Sequence, residues 1–160
     1  MPQAKARART DDISKRRLRL WLRLLRTTRR VEGDLREFLR EAHDTTLPRF
    51  DVLASLDREE KGLKMSELSR RLLVSNGNVT GIVERLVVDG LVLRVPIDAD
   101  KRAMRVRLTA RGKAVFAEMA AGHEAVIDRL FAGLDHGALD ALAEEFAKLK
   151  PIRKGGDVPG

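Results

Sequence analysis

The chain of 160 residues has no cysteine, which excludes a disulfide framework, a thiolate zinc site and any thiol-based peroxide sensor. No apolar run approaches the roughly 18 residues that mark a membrane span, and no short apolar segment behind a charged start marks a secretory leader. The expectation is a soluble, cytoplasmic chain with no membrane partner. The three histidines, His43, His123 and His136, show no metal-ligand spacing, and no glycine-rich phosphate loop is present. Asp98 and Asp100 sit in a basic loop, where neutralising Lys101 and Arg102 is a simpler role than holding a metal. Glu144 and Glu145 read as a solvated helix face. With no convergent set of acids, bases or nucleophiles, the sequence predicts a non-enzyme without a cofactor.

What is abundant is positive charge. The formal net charge is +8 and the sequence pI about 10.4, a balance that favours a polyanionic partner. Residues 1–30 hold eleven Lys/Arg against Asp11 and Asp12, and residues 61–111 hold eleven against five acids. Residues 112–150 reverse this, with four Lys/Arg against seven acids. The length suits one domain with a core that needs no covalent staples.

The informative stretch runs from Met65 to Gly112. Leu68, Leu72 and Leu73 give a first short helix an apolar side, and Val74–Ser75 interrupts it. Ser75 suits the N-cap of a second helix, in which Val79, Ile82, Val83, Leu86 and Val87 form one buried stripe. Asn76, Asn78, Thr80, Glu84 and Arg85 occupy the opposite side, and Gly90 ends the helix. Leu91–Val95 and Met104–Leu108 alternate as short strands around a polar loop, Pro96–Ala103. Two helices joined by a tight turn and followed by a hairpin with a basic tip make a winged helix-turn-helix, whose second helix can enter a DNA major groove.

The residues Val74-Ser75, Val79-Thr80, Leu86, Gly90-Leu91-Val92, Asp100-x-Arg102 and Leu108-Thr109-x-x-Gly112 resemble the MarR family of transcriptional regulators, over about Leu18 to Leu149. The resemblance implies a mainly α fold with a small β-wing, in which a winged helix-turn-helix domain is flanked by N- and C-terminal dimerisation helices. On this reading residues 1–12 are a disordered basic arm and 13–46 an N-terminal dimerisation helix with a break in its pattern at Thr27–Thr28. Residues 47–112 are the DNA-binding lobe, with Pro48 in the first turn of its first helix and Lys61–Lys64 supplying a third short strand. Residues 113–150 are C-terminal dimerisation helices, the first capped by Thr109 and running to about Leu134, and 151–160 a tail. The helix of about thirty residues from Ile13 would span roughly 45 Å, too long to bury in one small domain, which also points to a homodimer.

Base reading is expected from Asn76, Asn78 and Thr80, with Ser75 and the helix start placed for a phosphate. Ser66, Ser69, Arg70 and Arg71 are expected on backbone phosphates; Arg85, on the outward side of the second helix, is expected at DNA, and Lys101 adds charge at the wing with Arg105 and Arg107. Gly77 and Gly81 read equally as close approach to the groove or close packing on the preceding helix. The resemblance places Arg102 in a narrow minor groove, oriented by Asp100. It further implies a small aromatic effector, either an aryl-CoA thioester or an aryl carboxylate, as in the subgroup controlling hydroxycinnamate catabolism. Trp21, His43, Arg49, Phe50 and His123 are the candidate pocket residues, with ordinary core the alternative for Trp21, Phe50 and His123, and Arg16, Arg17, Arg19 and Arg23 are the candidates for CoA phosphates. The function expected is a repressor released from a pseudo-palindromic operator by that effector; the alternative is a ligand-independent DNA-binding or architectural protein.

Overall fold

The computed structural model describes residues 2–72, 76–97 and 100–149, and the side chains of 12–72, 77–97 and 104–149. The helices are α1 (Pro2–His43), α2 (Leu47–Asp57), α3 (Met65–Leu72), α4 (Asn76–Val88), α5 (Ala110–Phe131) and α6 (His136–Ala147). Three strands, β1 (Leu63–Lys64), β2 (Val92–Ile97) and β3 (Asp100–Leu108), form an antiparallel sheet in the order β1-β3-β2. The mainly helical fold with a small sheet is the one the sequence predicts. The chain packs as two units, Met1–Ile127 and Asp128–Gly160.

The core lies in the first unit. Leu39 of α1, Leu53 and Leu56 of α2, Leu68 of α3, Val79, Val83 and Leu86 of α4, Val106 of β3 and Met119 of α5 form one buried cluster. Each such side chain contributes roughly 1.5–3 kcal/mol relative to exposure. The α4 stripe is narrower than its periodicity suggests. Val79, Val83 and Leu86 are buried, but Val87 at the edge of the stripe is 38% exposed.

The first helix differs from expectation in extent. It starts at Pro2 rather than Ile13 and continues through Thr27–Thr28 without interruption. At the standard rise its 42 residues span about 63 Å. It ends where Asp44 takes a left-handed conformation, φ 47°, which Asp tolerates better than most side chains. The wing strands are longer than their alternation suggests, and the register passes from Pro96 opposite Met104 to Ile97 opposite Asp100. Lys101, Arg102 and Ala103 therefore fall within an irregularity of β3, beside a proline that has no N–H for the ladder.

The turn between α4 and β2 is tied to the start of α5. Gly90, at φ 68°, lets the N–H groups of Gly90 and Leu91 bond back to the carbonyls of Val87 and Leu86 at 3.0 and 2.9 Å, a closure that needs a left-handed residue. The Thr109 hydroxyl lies 2.8 Å from the Gly90 carbonyl and accepts the Gly112 N–H at 2.8 Å. The Thr109 N–H donates to the Leu91 carbonyl at 3.0 Å. A Cβ on Gly112 would lie 1.9 Å from that same Leu91 oxygen, so glycine is needed for the approach. Thr109 is thus the expected cap of α5, which ends at Phe131 rather than Leu134.

In the second unit, Asp135 caps α6 by accepting the Ala138 N–H at 2.8 Å. No α6 side chain is buried, and Leu139, Leu142 and Phe146 remain exposed.

Candidate nucleic-acid interface

The helix-turn-helix places α4 against an open cleft of about 600 Å³. Its other wall is the α1–α2 junction, with Asp44, Thr45, Thr46, Pro48, Arg49 and Asp51. From α4 come Gly77, Asn78, Gly81, Ile82 and Arg85, positions that recur every three to four residues and share one helix face. Gly77 and Gly81 have nothing within 4 Å of where a Cβ would stand. Close packing on the preceding helix is therefore not their role. They leave the α4 backbone open toward the cleft.

The cleft carries cationic groups and exposed backbone donors. Thr46 precedes α2 in an extended conformation without a side-chain cap bond, and Pro48 follows in the first turn. The first N–H groups of α2 thus have no side-chain acceptor, and the positive end of the helix dipole lies at the cleft wall. Arg85 is exposed in the last turn of α4. Arg49 is three-quarters buried and paired with Asp89 just past α4, while its Nε is a buried donor without a partner. Asp51 opposes them, and burial pushes its carboxyl above the usual carboxylate range. The nearby His123 works against that rise, Glu32 adds to it and Arg36 reduces it. Arg85, the Asp89-paired Arg49 and the start of α2, set beside the two acids Asp44 and Asp51, give an anion guanidinium and backbone N–H partners, whether it is a DNA phosphate or a small carboxylate.

Comparison with known proteins agrees with this architecture. A family model described as MarR family matches residues 43–103. The transcriptional repressor MdtR of Bacillus subtilis is 32% identical over 109 residues, covering 68% of this chain and 70% of MdtR. A crystal structure of a MarR family transcriptional regulator from Silicibacter pomeroyi superposes with a TM-score of 0.72 at 31% identity, covering 85% of this chain and 94% of that one. The chain belongs to the MarR family. The transcriptional activatory protein BadR of Rhodopseudomonas palustris is 35% identical over 82 residues, 50% of this chain and 47% of BadR. The chain thus spans about half the length of that curated relative. A MarR variant from E. coli in complex with operator DNA superposes with a TM-score of 0.73 at 27% identity, covering 82% of this chain and 94% of that one. The MarR family is one of transcription regulators and not of enzymes.

For this MarR-family chain, the residues expected at DNA separate into three groups. Ser66 and Arg70 are exposed on α3, and Arg71 is exposed but holds Glu59 at 2.5 Å. Ser69 does not belong with them: it is buried at 7%, with an unpartnered Oγ. The reason is helical phase, since Leu68, Ser69 and Leu72 share the inward face of a short helix. Asn78 and Arg85 line the cleft, while Thr80 is half-buried on α4 and is not among its lining residues. Glu84 lies 3.9 Å from Arg94 on the wing side of α4. Ser75 lies outside the described residues, as do the side chains of Asn76, Asp100, Lys101 and Arg102.

Of the residues expected at an effector, Arg49 alone lines the cleft. Phe50 is 6% exposed and packs its ring on Phe116 and on His123. His43 meets Phe38 edge-on with centroids 5.3 Å apart. These rings are core and its margin, as aromatic side chains most often are. Trp21 is 56% exposed on α1, with Arg16, Arg17, Arg19 and Arg23 exposed around it. Sequence reasoning missed Thr46, Asp51, Gly81 and Ile82 as cleft residues; the glycines four apart on one face of α4 were the available signal.

Proposed function

We propose that the chain is a homodimeric, DNA-binding transcription regulator that represses nearby genes and is released by a small aromatic carboxylate. The observation that carries the reading is the cleft beside α4, in which Arg49, Arg85 and the open first turn of α2 share one hollow with the DNA-reading helix. An anion seated there and a DNA backbone compete for the same cationic groups, so occupancy lowers operator affinity by the difference in their binding to the two states. A free aryl carboxylate suits two guanidiniums flanked by Pro48, Leu72 and Ile82. An aryl-CoA thioester would also need Arg16, Arg17, Arg19 and Arg23, none of which lines the cleft.

Pairing of two copies is supported by the apolar surface that one copy leaves exposed, Leu18 and Trp21 on α1 and, separately, Leu139, Leu142 and Phe146 on α6. Two recognition helices about 34 Å apart would then meet successive major grooves of a pseudo-palindromic operator. Among the described residues no helix is long and apolar enough to cross a membrane, consistent with work on DNA in the cytoplasm. Arg102 is assigned to the minor groove beside each half-site.

A fluorescence-anisotropy titration on the duplex upstream of the gene, with aryl carboxylates and aryl-CoA thioesters added in turn, tests the reading. Operator binding weakened by the carboxylate and by Arg102→Ala, with the fold intact, is the expected result. DNA binding that no aryl compound alters, together with no thermal stabilisation by any of them, would leave the ligand-independent DNA-binding or architectural role instead.

A further inference from the structure

Between Asp12 and Glu32 the sequence of α1 contains no acidic residue. Arg16, Arg19, Arg23, Arg26 and Arg30 recur at spacings of three and four, so they form one row along the helix, about 21 Å from first to last. All five are exposed, and none makes a hydrogen bond or ion pair among the described residues. Several other arginines have acids. Farther along the same helix Arg36 binds Glu32 at 2.7 Å and Arg40 binds Glu41 at 3.1 Å. In the DNA-binding lobe Arg49 pairs with Asp89 and Arg71 with Glu59.

The apolar row of α1 runs elsewhere on the cylinder. Trp21, Leu24, Val31, Leu35 and Phe38 follow one another at helical spacings of three, four and seven, and this row enters the core at Leu35 and Leu39. The apolar row leads from the core at Leu35 and Leu39 out to Trp21, which is exposed, and the arginine row is turned well away from it. A lipid surface would engage the basic and apolar residues together, whereas these two rows lie on well-separated sides of the helix. Five unpaired guanidiniums in line without an acid suit a linear array of phosphates.

We propose that Arg16, Arg19, Arg23, Arg26 and Arg30 form a second, sequence-independent nucleic-acid surface, which engages a duplex backbone in addition to the contacts made by α4 and the wing. The inference rests on the DNA-binding reading above. It adds affinity and salt dependence without adding base discrimination, since phosphates are alike at every step.

The test uses the full chain and two duplexes, the operator and a random sequence, over a series of salt concentrations. Replacing Arg16, Arg19, Arg23 and Arg26 together by Gln keeps helix-forming side chains and removes charge. The slope of log affinity against log salt should become shallower by about 0.9 for each phosphate no longer neutralised, with the ratio of operator to random-duplex affinity unchanged. An unchanged slope on a folded variant overturns the proposal while leaving operator binding by α4 standing. A second measurement needs no variant: modification of these arginines by phenylglyoxal, read by mass spectrometry on the natural chain. Protection by the random duplex is the expected result. Protection by coenzyme A or by phosphatidylserine vesicles but not by the duplex overturns it, and so does labelling that no added partner changes.

Discussion

Phe50 and His123 stack with ring centroids 4.6 Å apart and planes inclined by 15°. The contact joins α2 to α5 and takes the imidazole partly out of water. Burial pushes the His123 pKa below its ordinary value, and the charge of Asp51 offsets only part of that effect. The unfolded chain therefore takes up a proton at His123 more readily than the folded one, and stability falls as pH drops below the ordinary imidazole value of about 6.5. Asp51 has the opposite sign. Its raised pKa lets the folded state keep a proton that the unfolded chain releases, so its burial penalty is relieved only as pH descends through the carboxylate range. Thermal unfolding should show Tm falling from about pH 7.5 to about pH 5.5, and His123→Phe should flatten that decline. A variant with the natural slope would remove His123 as its source.

Gly112 and Thr109 should be costly to change, for different reasons. Gly112→Ala forces a methyl group against the Leu91 carbonyl and should destabilise by about 1–3 kcal/mol through overpacking. Thr109→Ala removes the α5 cap and the hydroxyl's contact with Gly90, a loss of about 1 kcal/mol. Urea unfolding measures both. A Gly112→Ala chain of natural stability would show that the approach of α5 to Leu91 is not tight in solution.

At Gly77 and Gly81 the sign should reverse. Alanine meets open space at both positions, so each replacement should raise stability by about 0.4–1 kcal/mol by restricting the unfolded chain. The same methyl groups stand in the cleft face of α4, and operator affinity should fall by about tenfold, or 1.4 kcal/mol. Calorimetry and anisotropy on the same samples separate the two effects. Undiminished operator binding by the double alanine variant would place the DNA-reading edge elsewhere on α4.

Asp89→Asn tests the tie between α2 and the end of α4. It weakens the partner of a mostly buried guanidinium whose Nε already lacks an acceptor. Because Asp89 is 44% exposed, the cost is expected at about 1 kcal/mol rather than that of a fully buried pair. A double-mutant cycle with Arg49→Gln should give a coupling of similar size. A coupling near zero would make the pair incidental.

Features set by short-range spacing were legible in the sequence. Thr109 and Gly112 announce a helix start, Gly90 a helix end, and the α4 stripe at Val79, Val83 and Leu86 follows from period alone. Ser69 was not legible, because a helix of two turns leaves its phase open by a residue, and serine is at home on either face. The cleft escaped for a different reason. Its walls come from residues 44–51 and 72–85; the helix break at His43–Thr46 is legible locally, but the approach of these two segments is a long-range contact that spacing does not report. For Phe50 the spacing allows an inward core position as well as a pocket, and the core position holds: its neighbours Phe116 and His123 come from a helix more than sixty positions away.

The knot of Gly90, Leu91, Thr109 and Gly112 has a mechanical consequence. With the end of α4 held by the N–H groups of Gly90 and Leu91 and the beginning of α5 held by the carbonyls of the same two residues, neither helix can swivel without carrying the other. The reading edge is in effect a blade keyed to a shaft, and α5 is the shaft. Torque applied anywhere along α5 in this unit would be delivered at the groove as a change of pitch rather than dissipated in a slack hinge.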